Sequence, residues 1–294
     1  MASNYTTKTA ALRATKADMN SAKIKKLDAS EINFKGQKIE ELWGLNLPED
    51  YPKFVRRCEL PSDENWALWS DNGDLLYMNF SDKIKCGTNM FCDCHNLTTF
   101  TSDLSSLTNG EYMFSGCSKL TTFTSDLSSL INGEYMFNYC SQLESFNSDL
   151  SSLTDGYQMF DSCVHFNSFN SDLSSLTDGT HMFRYCYKLT AFDADLSSLE
   201  IGNGMFQSCR LNSKSIERIL STLPTYDYES GKHRILIGIL TSAIDKFNEI
   251  TGNTNEIPVV SEGMNDCGGV SDCGGTDYTT LYKGWELSVC AYEN

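Results

Sequence analysis

From Phe100 to Leu211 the apolar positions return every 23 residues, and the polar positions between them keep the same period. Phe100, Phe123, Phe146, Phe169 and Phe192 open five copies, the first reading FTSDLSSLTNGEYMFSGCSKLTT. Each Phe is followed by a Leu four places on (Leu104 to Leu196) and a second Leu three places later (Leu107 to Leu199). A Met-Phe pair (Met113-Phe114 to Met205-Phe206) and a Cys complete the unit. A partial copy precedes them, with Cys86-Gly87, Met90-Phe91, Cys94, Leu97 and Phe100 in register. Self-similarity at such a period predicts stacked coils, each burying its apolar side on its neighbours. At about 4.8 Å per coil, equivalent side chains lie over one another. The alternation around each Phe predicts one short strand per coil. The expected fold class is therefore a repeat solenoid over residues 81–210, mainly β with turns and short 3-10 segments. Gly110, Gly133, Gly156, Gly179 and Gly202 follow Asn or Asp in all copies but the last, which predicts a turn with positive φ.

The flanks have a different rhythm. Trp66 to Tyr77 alternates around Asn72-Gly73 and predicts a hairpin. With Pro48, Pro52 and Pro61 before it, residues 46–80 are expected to be a connector and a hairpin cap for the first coil. Beyond the repeats, an amphipathic helix is expected over Ser213–Leu223, ending at Pro224. A strand at Arg234–Ile239, a short helix at Thr241–Glu249 and a strand at Trp285–Ala291 follow. Residues 211–294 thus predict a small α/β C-terminal cap. Residues 1–45 are expected to be an extended N-terminal arm.

Chemistry changes this picture little. Cys94, Cys117, Cys140, Cys163, Cys186 and Cys209 stand 23 apart, so they predict a stacked ladder of buried, reduced thiols. Their parallel Cβ vectors do not suit disulfides. Asp103, Asp126, Asp149, Asp172 and Asp195 form a second ladder. Calcium would relieve their repulsion, but each Asp before Leu-Ser-Ser suits a turn cap that accepts the amide two residues on. Cys267 and Cys273 in CGGVSDCGG predict either a bridge or two thiols, since a zinc site lacks its fourth ligand. None of the four histidines stands in a nucleophile or metal motif. No catalytic residue, cofactor or metal is expected. The net charge of −16 argues against nucleic acid. No stretch has the length of a membrane span. Tyr139, Tyr157, His181, Tyr185 and Tyr187 occupy varying repeat positions, which suit either partner or sugar contacts or packing between coils.

The unit Met-Phe-x-x-Cys-x-x-Leu followed by an apolar strand, carried by residues 86–212, resembles the BspA-like leucine-rich repeats. Leu211–Leu220 is similar to the helix that closes many such arrays, and Tyr282-Lys-Gly-Trp285 to the strand that ends them. The usual proline is absent, Ser-Asp-Leu-Ser-Ser-Leu standing in its place. The resemblance implies a surface or adhesin-like protein of gut bacteria, or a virion-associated protein of their phages. SNYTTKTAALRATKADMNSAKIKKLDASEINFKGQKIEEL, with a hairpin-like Ile32–Ile39, resembles the leader of structural proteins of crAss-like and related tailed phages. That leader fixes a protein to the particle. Lys8, Arg13, Lys16, Lys23, Lys25 and Lys26 against Asp18 give residues 1–27 a balance of +5 on an acidic chain. Such an arm suits docking or a solvated terminus. The longest apolar run in these residues, Ala10-Ala11-Leu12, is too short for a signal peptide. The expectation is a non-enzymatic virion protein (head fibre, decoration or tail-associated), homo-oligomeric. It would be made in the host cytoplasm, joined to other virion proteins through residues 1–45, and would present its solenoid to a host-surface protein or glycan. The alternative is a BspA-like adhesin on a bacterial cell surface.

Overall fold

A computed structural model describes residues 84–100, 103–227, 232–260 and 279–293, together with the backbone of four strands before residue 80. Those four pair as two antiparallel hairpins, β1 (Asn33–Phe34) with β2 (Gln37–Lys38) and β3 (Trp66–Trp69) with β4 (Leu75–Asn79). The rest of the expected arm and connector lies outside the described residues.

The repeats fold as coils stacked at the sequence period. Parallel bridges link Cys86, Asn109, Asn132, Asp155, Asp178 and Ile201 in one ladder. A second ladder runs through the two-residue strands β5 (Thr99–Phe100), β6 (Thr122–Phe123) and β7 (Ser145–Phe146). It resumes from β8 (Ser168–Phe169) to β9 (Ala191–Phe192). The break between β7 and β8 falls at the copy in which Phe166 replaces Leu. The larger ring stacks on Phe160 and Phe183, and the Phe146–Phe169 spacing opens to 6.3 Å.

Inside the stack, two columns of phenylalanine interlock. The Met-Phe rings stack from Phe91 to Phe206 at 5.2 to 5.7 Å per coil. The strand rings meet them edge-on, Phe100 and Phe114 at 4.6 Å. Edge-to-face contact of this kind adds to simple area burial. Each Asp of the five-membered ladder accepts the amide two residues on at 2.8 Å, so these carboxylates cap turns. Asn109, Asn132, Asp155 and Asp178 do the same one turn later.

The glycines that follow them depart from expectation. Gly110, Gly133, Gly156, Gly179 and Gly202 do not have positive φ. Space, not conformation, demands glycine: a Cβ on Gly110 would lie 2.7 Å from the Met136 sulfur of the next coil. The left-handed positions fall instead on larger residues two and six places further on, among them Tyr112, Tyr135, Tyr139, His181 and Tyr185.

The thiol ladder is buried, and the six cysteines from Cys94 to Cys209 carry no disulfide. Beyond packing, each thiol from Cys117 onward donates to the carbonyl of the Phe 26 residues before it, at 3.1 to 3.2 Å. The coils are thus joined by a side-chain bond on the inside as well as by backbone.

The last copy ends the stack. Ile201 replaces the capping Asn or Asp, and β10 (Gly202–Leu211) pairs in parallel with β11 (Arg234–Leu240) instead of another coil. Gly204 and Ser208 keep the coil's two left-handed positions, so β10 follows the coil's path with register shifts. Helix α1 (Ser213–Thr222) is capped by Asn212, whose side chain accepts from the Ser215 amide. A 3-10 turn (Thr241–Ala243) leads into α2 (Ile244–Thr251). Strand β14 (Trp285–Tyr292) pairs in parallel with β11 and β12 (Val259–Val260), and antiparallel with β13 (Thr279–Tyr282).

The Lys283-Gly284-Trp285 triplet ties this region to α1. Lys283 Nζ donates to the carbonyls of Leu220, Ser221 and Leu223, each at 3.0 Å. Gly284 has φ +83, and a Cβ there would lie 2.2 Å from the Tyr226 carbonyl oxygen. Trp285 is fully buried and donates from Nε1 to Pro224.

Candidate functional site

Each coil turns through two left-handed residues, and these turns bring the varying positions to one side of the stack. Between them, alternate amides donate along the stack: Tyr112 to Glu134 and Gly116 to Asn138 in the first full coil, Tyr135 and Tyr139 to Tyr157 and Asp161 in the second. Amides that would close the turn locally therefore fasten it to the next coil. The side chains there stand in columns.

One cluster of rings joins Tyr112, Tyr135 and His181, from one repeat position, to Tyr157 from the position before it. Tyr112 and Tyr135 stack at 4.4 Å, Tyr157 meets Tyr135 edge-on at 5.2 Å, and His181 meets Tyr157 at 6.5 Å. Gln158 donates from Nε2 to the Tyr135 hydroxyl at 3.2 Å. His181 buries its Nδ1 without a hydrogen-bond partner among the described residues, whereas the Nδ1 atoms of His95, His165 and His233 each meet a backbone carbonyl at 2.8 Å. Burial, and then the charge of Arg184, lower the His181 pKa below the ordinary imidazole value.

The neighbouring column alternates small and large: Gly116, Tyr139, Ser162, Tyr185, Ser208. Tyr139 is 61% exposed, and the Tyr185 and Tyr187 rings lie 6.0 Å apart. Beneath them Asp161, 1% exposed, pairs with Arg184 of the next coil, whose Nε lies 3.0 Å from Oδ2. Arg184 Nη2 also donates to Gln158 Oε1, and the guanidinium stands 5.1 Å from the Tyr185 ring. Burial works against that guanidinium charge, while Asp161, Tyr185 and Tyr139 hold it, leaving its pKa raised.

A family model for the BspA type leucine rich repeat region, in six copies, matches residues 70–177 and 132–233. Overlapping, these cover residues 70–233 of the 294, more than half of the chain. The chain belongs to the BspA-type leucine-rich repeat family. No curated protein and no solved structure matches it.

In this BspA-type stack the five varying residues singled out in the sequence split into two adjoining groups. Tyr157 and His181 lie in the aromatic cluster, while Tyr139 and Tyr185 stand near Arg184 and Tyr187 lies against Tyr185. Tyr112 and Tyr135 belong with the first group; their Glu-Tyr before Met-Phe was a visible signal in the first two copies. The Asp161–Arg184 pair had no such signal, because its partners lie 23 residues apart in positions that vary from copy to copy. Lys8, Arg13, Lys16, Lys23, Lys25 and Lys26 lie outside the described residues. Among the described residues no three of His, Cys, Asp and Glu converge as metal ligands would. Cys290 in β14 is disulfide-bonded.

Proposed function

We propose that this chain is a non-enzymatic adhesion protein of a tailed-phage virion, serving as head fibre, decoration or tail-associated protein. In this reading residues 1–45 hold it to other virion proteins, residues 46–80 connect, and the repeat solenoid projects toward a host-surface protein or glycan. Residues 211–294 close the array. The observation that carries the binding half is the aromatic side of the stack. Invariant repeat positions fill the core, whereas tyrosines of varying position, with Tyr139 the most exposed, face outward. Tyr and Arg are favoured at recognition surfaces. BspA-type repeats suggest surface and adhesion roles, and this agrees. The anchoring half rests on the basic arm and on its resemblance to phage structural leaders. Closed homo-oligomeric symmetry suits a particle-borne fibre.

The second reading, a BspA-like adhesin of a gut bacterium, is favoured by the disulfide at Cys290, since such bonds persist in oxidising surroundings. Mass spectrometry of purified particles separates the two. The virion reading expects the chain at constant copy number in particles, and its absence sinks that reading. Deleting residues 1–45 should abolish incorporation while leaving the repeats folded; truncated protein that still joins particles refutes the anchor.

A further inference from the structure

Tyrosines and carboxylates run side by side along the stack, and no cation among the described residues answers them. Glu111 and Glu134 hold one repeat position, and Tyr157 continues their column. Tyr112 and Tyr135 hold the next position and stack at 4.4 Å. All five side chains are half-buried, so part of each meets solvent. The tyrosines' side-chain hydrogen bonds and ring contacts stay within a group that includes Gln158 and His181. The side chains of Glu111 and Glu134 make no hydrogen bond or ion pair among the described residues. Burial, and then Asp155, Glu111 and Asp178, raise the Glu134 pKa, so every charge acting on that carboxyl is negative.

Acid beside aromatic selects for one chemistry. A lysine or arginine pairs its charge with the carboxylates and lays its aliphatic stem along the tyrosines. Each such exposed contact is weak and fades with salt. Tethering makes up the difference, because a segment of the same chain meets the surface at an effective concentration of about millimolar.

The chain carries such a segment. Residues 1–27 hold six basic side chains against one acid, and Lys23-Ile24-Lys25-Lys26 gathers three ammonium groups around an aliphatic one. With +5 there and −16 overall, the remainder carries −21. Between residue 27 and Ile84 lies enough chain, at about 3.3 Å per extended residue, to reach any coil.

We propose that the ribbon of Glu111, Tyr112, Glu134, Tyr135 and Tyr157 is the docking surface for the chain's own basic arm, residues 1–27, led by Lys23, Lys25 and Lys26. In the free chain the arm covers this ribbon. A particle that takes up the arm uncovers it, a consequence that rests on the anchoring reading.

The test is carbodiimide coupling of the full chain at low concentration, which joins a lysine amine to a carboxylate in contact, read by peptide mass spectrometry. At low ionic strength, links from the arm to Glu111 and Glu134 should exceed those to the exposed Asp103, Asp126 and Asp149 by about fivefold. Salt at about 1 M, where the Debye length is about 3 Å, should remove the preference. In a mixture of unlabelled and nitrogen-15-labelled chains, links should join like with like. Tyr112→Asn with Tyr135→Asn keeps every carboxylate and removes two rings, and Asn89 already holds the equivalent position at φ +57. That variant should lower the Glu111 and Glu134 links about threefold while circular dichroism shows the chain folded. Should it not fold, Tyr112→Asn alone, at the end of the stacked pair, takes its place. Links spread over the Asp ladder, links only between unlike chains, a preference that survives salt, or links indifferent to the rings overturn the ribbon contact. A chain linked as expected yet absent from particles supports that contact and refutes the anchor. One found in particles but lacking these links when free does the reverse.

Discussion

At the scale of single residues, the repeats show which positions the coil dictates and which it merely tolerates. The hydroxyls of Ser125 and Ser148 are buried without a hydrogen-bond partner among the described residues, and the fifth copy has Ala194 at the equivalent place. A buried hydroxyl that makes no bond costs stability. Ser148→Ala is therefore expected to be neutral or to stabilise by up to about 1 kcal/mol; a clear loss in denaturant melts would show that the hydroxyl has a partner. His181 gives a pH dependence of known sign. Its pKa is lowered in the folded chain, by burial and then by Arg184. The unfolded chain then takes up the proton first, so stability falls as pH drops below the unfolded imidazole value of about 6.5. His181→Asn removes that group, and Asn suits the site, since Asn89 holds the equivalent position at φ +57. The variant's thermal midpoint should fall less than the wild type's between about pH 7.5 and pH 5. Parallel curves would remove His181 as the cause. The expectation of positive φ at Gly110 and its equivalents failed for a reason of the same scale. Asn-Gly looks like turn chemistry, yet the neighbour that excludes a Cβ is a methionine one coil away.

Among elements, α1 shows how unequal the two ends of a helix can be in their legibility. Its start was visible in Leu211-Asn-Ser and its end in Pro224, because capping and proline act within a few residues. What holds its C-terminal carbonyls is Lys283, about 60 positions further along the chain. Three carbonyls at the end of the helix take one ammonium group, which also opposes the negative end of the helix dipole. Lys283→Met keeps the aliphatic stem and removes the donors. It should cost about 1–3 kcal/mol in urea unfolding. A smaller loss would mean that water replaces the ammonium without penalty. The neighbouring residues leave little room for adjustment: Gly284 lies against the Tyr226 carbonyl, and Trp285 is enclosed beneath it. The resemblance of this triplet to the end of other arrays thus has a local physical basis.

For the molecule as a whole, stability is built from repeated interfaces, so length should be adjustable. Inserting a second copy of residues 123–145 after Ser145 adds one Asp cap, one thiol bond and one pair of stacked phenylalanines. In a linear stack such a unit adds its own interface term. The longer chain is expected to fold and to melt at a higher temperature, as followed by circular dichroism. A lower midpoint would show that the break between β7 and β8, or the closing strands, sets the limit. The sequence by itself determined the period, the apolar ladders, the Asp caps, the reduced thiols and, after Leu211, the two helices and the strands β11 and β14, but not β12 or β13. These depend on local turn chemistry, or on a translation by 23 residues that any reader can apply. Tertiary structure alone decided the reason for the glycines, the carbonyl partners of the thiols, the Lys283 clamp and the Asp161–Arg184 pair. In each case the deciding partner comes from another coil or from a distant strand, and only the stacking of the chain brings it within reach.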